Sequence, residues 1–374
     1  MKRSIRSFLL FLFVALCLLS GCGAQGGDSQ ARKQEDAALS PEQRAEKRLG
    51  EMTVAEKIGQ MLMIGVQGTT LDADSRFILS EYAAGGVILY DRNLETADGV
   101  RRFTKELQDA RSGELPLLIA IDEEGGPVVR MEDIVPPPPS QSEIGSTGDP
   151  AQARKWAKEI AGALRALGIN LNFAPVADVG DSERCYSADA EETARFVQEA
   201  VRGYAEENML CTLKHFPGLG KGTSDTHLGT VVVDADKETL EAEDLVPFRA
   251  AMEKKAEDLF FVMVSHITYT ALDGENPASF SPAIMTSLLR EKMGWDGVVV
   301  TDDLEMGAAD VFSFDEMGVR AVEAGADLLL VCHDYGHQQD VYNGLLKAVQ
   351  SGRISEARID ESVRRILRAK ERIR

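Results

Sequence analysis

The sequence predicts an α/β fold, a (β/α)8 TIM-like barrel built as one domain over residues 40–374, and three observations carry that prediction. Eight short apolar runs recur along the chain, near Met61–Val66, Gly85–Leu89, Leu115–Ile121, Leu171–Val176, Leu210–Leu213, Phe260–Val264, Gly297–Thr301 and Asp327–Val331. They are apolar throughout instead of alternating, as strands buried on both faces of a parallel sheet require. Between them lie mixed polar and apolar stretches of helical character, such as Gln152–Leu167 and Ala190–Glu207. No tract of biased composition follows Leu39, so one domain is the simpler organisation; a doubly wound sheet is the alternative for the same alternation.

The chain opens on a targeting segment. Lys2, Arg3 and Arg6 precede the apolar run Phe8–Leu19, which is too short to span a bilayer but suits a signal peptide over residues 1–21. Leu19-Ser20-Gly21-Cys22 resembles a bacterial lipobox, which implies lipidation of Cys22 and an extracytoplasmic protein anchored to a bacterial membrane, on its periplasmic or cell-surface side. An ordinary signal peptide, or a short anchor with a chance cysteine, is the alternative. Residues 22–39 read as a flexible tether, with no apolar period. Ser40-Pro41-Glu42 then has the form of a helix N-cap with proline in the first helical position, and Thr53-Val54-Ala55-Glu56 that of a capping box.

The formal charge is −20, and removing Lys2, Arg3 and Arg6 takes it to −23. That argues against nucleic acid as a partner and against adhesion to anionic lipid by charge; membrane contact would come only through the anchor at Cys22. Beyond Cys17 and Cys22, the cysteines are Cys185, Cys211 and Cys332, which offer neither a disulfide framework nor metal-ligand spacing.

Polar residues fall at the C-terminal ends of the expected strands, the rim where barrels of this kind carry their chemistry. Asp122 ends the third, Asp178 lies past the fourth, Lys214 and His215 end the fifth, His266 the sixth, Asp302 and Asp303 the seventh and His333 the eighth. Neighbouring residues of a regular strand face opposite ways, so one of Asp302 and Asp303 is expected to face the site. Asp303 is the better fit to a helix N-terminus. His266 is expected to be structural, and His333 and His337 lie where they can line the rim.

The densest stretch is Lys214–His227, KHFPGLGKGTSDTH, a loop by its glycines and proline. A phosphate loop is excluded, because Gly222 stands where Ser or Thr must follow Lys221 and His215 stands where glycine is needed. A metal site from His215, Asp225 and His227 is chemically possible. So is an acid/base pair in which Asp225 orients His227. On these residues alone the acid/base pair and a loop histidine bonded to a nearby carboxylate stand level.

The stretch resembles the signature loop of family 3 glycoside hydrolases, in their β-N-acetylhexosaminidase branch: Lys-His-Phe-Pro-Gly-His-Gly, a short gap, then Asp-Ser-His. Leu219 replaces the usual histidine and Thr226 the usual serine. Glu51–Met61 resembles the family's opening segment, and Asp122–Arg130, DEEGGPVVR, its sugar-binding segment, with Pro127 in place of a basic residue. Arg184, in Glu183–Ser187, resembles an arginine after the fourth strand, and Thr301–Met306 the nucleophile segment. The resemblance spans roughly residues 45–370. It implies Asp302 as nucleophile, His227 with Asp225 as acid/base, and Asp122, Arg130, Arg184, Lys214 and His215 as substrate-binding residues, with no metal or organic cofactor. The implied activity is that of a retaining exo-β-N-acetylhexosaminidase, removing terminal N-acetylglucosamine from cell-wall fragments, muropeptides or chitooligosaccharides. A phosphorylase of the same branch and a non-catalytic surface sugar-binding lipoprotein are the alternatives. The oligomeric state is not predicted.

Overall fold

The computed structural model describes residues 38–111, 115–220, 231–253, 260–307 and 312–373. Its first helix, Pro41–Glu51, starts as the sequence predicts: the Ser40 hydroxyl accepts the Gln43 N–H at 3.2 Å, with proline in the first helical position. From Leu49 onward the chain forms the barrel unit.

A strand falls on each of the eight apolar runs, the fifth and seventh extending beyond them: β1 (Leu62–Gly65), β2 (Gly86–Leu89), β3 (Leu118–Ile121), β4 (Leu171–Asn172), β5 (Leu210–Phe216), β6 (Phe260–Val264), β7 (Val299–Asp303) and β8 (Leu328–Val331). Every strand pairs in parallel with the next, and β8 closes on β1 through Leu62↔Leu329. The expected (β/α)8 barrel is therefore the observed one. Nearly every strand residue is buried, which explains runs with no polar face.

Helices follow the strands. α1 (Val54–Gln60) precedes β1 and carries the expected capping box, Thr53 and Glu56 bonding reciprocally at 3.3 and 2.8 Å. α2 (Ala151–Ala166) leads into β4 and α3 (Ala190–Glu206) into β5. These two helices approach closely at Gly203, where a Cβ would meet the Arg154 carbonyl oxygen at 2.4 Å. α4 (Phe314–Ala324), α5 (Tyr335–Gln350) and α6 (Glu356–Arg372) complete the outer layer. A π-type helix, Ala283–Lys292, precedes β7.

Two irregularities shape the rim. β4 is shorter than its apolar run, because Pro175 has no N–H to give the ladder; pairing resumes only at Val176, opposite Lys214. Asn172 staples the gap with its side chain, accepting the Glu123 N–H at 2.9 Å and donating to the Glu123 carbonyl at 2.8 Å. On β7, Val300 pairs with Leu328 while Asp303 pairs with Leu330, so β7 carries one residue more than its partner over the same length. That is a β-bulge placed at the end where the two aspartates stand.

Candidate active site

A cleft of about 290 Å³ opens among the C-terminal ends of the strands. Asp122, Arg130, Arg184, Lys214, His215 and Asp302 all line it. Asp225 and His227 lie outside the described residues, as do Cys22 and the whole segment 1–37.

Four charged side chains form the floor, Lys214 and Glu124 buried, Asp122 and Arg184 part-exposed. Lys214 Nζ lies 2.7 Å from Asp122 Oδ1 and 2.7 Å from Glu124 Oε1. Arg184 grips Glu124 with a two-pronged fork, both bonds 2.8 Å. Burial pushes the Glu124 pKa up, but Lys214 and then Arg184 outweigh it and hold the carboxylate at about 2. Burial likewise works against charge on Lys214, yet Asp122 and Glu124 leave its pKa raised. Asp122 reaches the cleft surface, its Oδ2 3.9 Å from Arg130 Nη2. Arg130 in turn lies over the Tyr90 ring, 5.4 Å from its centroid.

Lys214 and His215 are neighbours in β5, yet both line the cleft. The strand is irregular there: its register against β6 shifts between Leu213 and Phe216, and the Lys214–His215 peptide is cis. His215 Nδ1 is 2.7 Å from Asp178 Oδ2, and Arg184 Nη2 is 3.4 Å from His215 Nε2. An arginine only donates, so Nε2 accepts and Nδ1 carries the proton toward Asp178. Both ring nitrogens are therefore engaged, which speaks against His215 as a metal ligand. Asp178 Oδ1 also accepts the N–H groups of His215 and Leu219, at 3.0 and 2.7 Å, and so fixes the start of the glycine-rich loop.

Asp302 and Asp303 both line the cleft. The expectation that only one of them faces the site is corrected here, and the β7 bulge is the physical reason: it breaks the two-residue alternation between them. They differ in their bonds. Asp303 Oδ1 accepts the Glu305 N–H at 3.1 Å and its Oδ2 lies 3.3 Å from His333 Nε2. Asp302 Oδ1 accepts the Asp303 N–H at 2.9 Å, while no hydrogen bond reaches its Oδ2 among the described residues.

The Glycosyl hydrolase family 3 N terminal domain matches residues 53–369 of this chain. The chain belongs to glycosyl hydrolase family 3. A "Beta-hexosaminidase" of Stenotrophomonas maltophilia is 36% identical over 309 residues, covering 79% of this chain and 89% of that protein. The solved structure of a family 3 beta-N-acetylglucosaminidase from Paenibacillus sp. is 40% identical with a TM-score of 0.82, covering 86% of this chain and 63% of that one. A Beta-N-acetylhexosaminidase from Beutenbergia cavernae is 30% identical with a TM-score of 0.78, covering 85% of this chain and 98% of that one. The protein is accordingly a glycoside hydrolase of this family, and the cleft is its candidate active site.

The remaining histidines separate. His266 is buried, bonded to Ser279 Oγ at 2.6 Å and to the Asp303 carbonyl at 2.9 Å, a structural placement. His333 lines the cleft. His337 stands behind it, 2.7 Å from Glu305 and stacked on Phe314. Sequence reasoning placed Asp178 at the rim without naming its partner, and did not single out Glu124 or Glu305. Glu124 carried a usable signal, since it sits two residues from Asp122 and such a pair shares a face of an extended chain.

Proposed function

We propose that this enzyme is a retaining exo-β-N-acetylhexosaminidase that releases terminal β-linked N-acetylglucosamine from cell-wall fragments or chitooligosaccharides through a covalent intermediate on Asp302. The observation that carries the proposal is the inequality of the paired aspartates. Both oxygens of Asp303 are committed, whereas Asp302 keeps Oδ2 open toward the cleft among the described residues. A carboxylate held by one oxygen and open at the other is the form a nucleophile needs.

In the first half-reaction Asp302 Oδ2 bonds to the anomeric carbon as the glycosidic C–O bond breaks, and His227, oriented by Asp225, gives its proton to the leaving oxygen. In the second, His227 takes a proton from water, the water oxygen bonds to the same carbon, and the ester to Asp302 breaks. Two inversions give retention. The hydroxyls of the terminal sugar would bond to Asp122 and Arg130, with Lys214, Arg184 and His215 completing the wall. The cleft volume of about 290 Å³ suits a single terminal ring. The lipid anchor at Cys22 belongs to the same reading, placing the enzyme outside the cytoplasm where such glycans occur.

The test is release of 4-nitrophenol from its N-acetyl-β-glucosaminide by wild type, Asp302→Ala, Asp303→Asn and His227→Ala. Turnover abolished in Asp302→Ala and strongly slowed in His227→Ala is the expected result. Folded wild-type protein that releases nothing, or Asp302→Ala that turns over normally, overturns it.

A further inference from the structure

Along the cleft wall beside Asp302 runs a chain of three side chains from three separate parts of the barrel. Arg92, past the end of β2, places Nη1 3.3 Å from His333 Nδ1. Its other nitrogens hold backbone, Nε to the Val66 carbonyl at 3.0 Å and Nη2 to the Cys332 carbonyl at 2.6 Å, so the guanidinium is fixed at the closure between β1 and β8. His333, past the end of β8, places Nε2 3.3 Å from Asp303 Oδ2. Guanidinium cannot accept a hydrogen bond. Nδ1 must therefore be the acceptor, and the single proton of the neutral ring sits on Nε2, aimed at Asp303. Asp303 raises the His333 pKa through that bond, and burial, then the Arg92 charge, oppose the rise.

The arrangement costs the site something and needs a reason. Asp303 lines the cleft beside Asp302, and two adjacent carboxylates compete for one position next to the anomeric carbon. We propose that His333 is a positioning residue of the reaction, held in its Nε2–H form by Arg92, which ties back Asp303 so that Asp302 alone is presented to the sugar. Asp303 is then gripped at both oxygens, by His333 and by the Glu305 N–H. It passes the order on through its own backbone N–H, which bonds Asp302 Oδ1 at 2.9 Å. The inference rests on the reading of Asp302 as nucleophile.

The experiment compares steady-state hydrolysis of the nitrophenyl substrate by wild type, His333→Ala, His333→Gln, Asp303→Asn, the double variant His333→Ala/Asp303→Asn, and Asp302→Ala. A loosened carboxylate misplaces the reacting group, so kcat of His333→Ala should fall between roughly ten- and a hundredfold with KM little changed. Gln keeps a donor toward Asp303 and should restore most of kcat. Because His333 acts through Asp303, removing it from Asp303→Asn should cost almost nothing further. Imidazole 15N shifts, assigned to His333 by their loss in His333→Gln, should report the Nε2–H tautomer and serve even if His333→Ala fails to fold. Unchanged kcat in folded His333→Ala, a loss confined to KM, additive losses in the double variant, or an Nδ1–H tautomer overturns the inference while an inactive Asp302→Ala leaves the nucleophile standing. An active Asp302→Ala removes the nucleophile reading itself.

Discussion

Asp178 and His215 are joined twice, side chain to side chain at 2.7 Å and carboxylate to backbone N–H at 3.0 Å. Burial pushes the Asp178 pKa up, but its electrostatic contact and ring bond with His215, then the Leu219 and His215 N–H groups, overcome it and leave it below the usual aspartate value. Asp178→Ala strands all of these partners in a buried place and should cost about 3–5 kcal/mol of stability. A group with a depressed native pKa contributes above its unfolded value, about 3.9, and loses that contribution as pH falls through the native one. Urea unfolding should therefore show the wild type losing part of its advantage over Asp178→Ala below about pH 4. A constant difference across that range would mean that folding does not depress the Asp178 pKa.

Glu123 moves in the opposite direction. It is 1% exposed, Oε2 accepts the Arg130 N–H at 2.9 Å, and Oε1 has no hydrogen-bond partner among the described residues. Burial pushes its pKa from near 4.5 up to about 7, with the Arg130 and Met131 N–H groups pulling back. Folding then takes up a proton between those values, so this residue destabilises progressively as pH rises from about 4.5 to about 7. Glu123→Gln, neutral at every pH, should be the more stable protein above pH 7, by at most roughly 3–4 kcal/mol at 1.4 kcal/mol per pKa unit. Thermal midpoints of the two proteins across pH 4–8 check this; parallel curves would refute it.

Asp327 stands at the N-terminal end of β8, away from the cleft. It is fully buried, bonded to Arg290, to Arg365 at 3.2 Å and to Ser362 at 2.7 Å, with Arg358 at 3.8 Å. Residues at that end of a barrel act on stability and not on chemistry. Asp327→Ala leaves clustered arginines without their carboxylate and should lower stability by about 3–5 kcal/mol. Its kcat/KM at low temperature should match wild type; a large kinetic loss in folded protein would show that the barrel floor is coupled to the rim.

All eight strands were legible because burial on both faces writes itself into composition, and the rim residues followed from the strand ends. What was not legible depends on pairing between strands. Nothing near Thr301–Asp303 announces that β7 carries one residue more than β8, yet that surplus turns both aspartates into the cleft. Pro175 did announce that β4 would stop early, and its apolar neighbours masked the signal. Glu124 and Asp178 look ordinary in sequence because their partners, Lys214, Arg184 and His215, lie on other strands. Asp225 and His227 remain a reading of the sequence, outside the described residues.

Glu124 and Asp122 share Lys214 but should fail differently. The Glu124 side chain is 1% exposed and that of Asp122 15%, so the first acts chiefly through Lys214 and Arg184 while the second can meet a sugar hydroxyl. Glu124→Gln removes the charge that holds both cations, and Arg184 loses its two-pronged partner. Charge-assisted bonds are worth about 1.5–3 kcal/mol, so N-acetylglucosamine should bind roughly ten- to a hundredfold more weakly to Glu124→Gln. Because the native carboxylate titrates only at about 2, wild-type affinity should show no break from this group between pH 4 and 8. Asp122→Asn leaves Glu124, Lys214 and Arg184 bonded to one another, and should lose affinity through the sugar contact alone. Calorimetric titration of both variants decides the matter: equal affinity of Glu124→Gln and wild type would mean that the Glu124–Lys214–Arg184 group does not shape the sugar site.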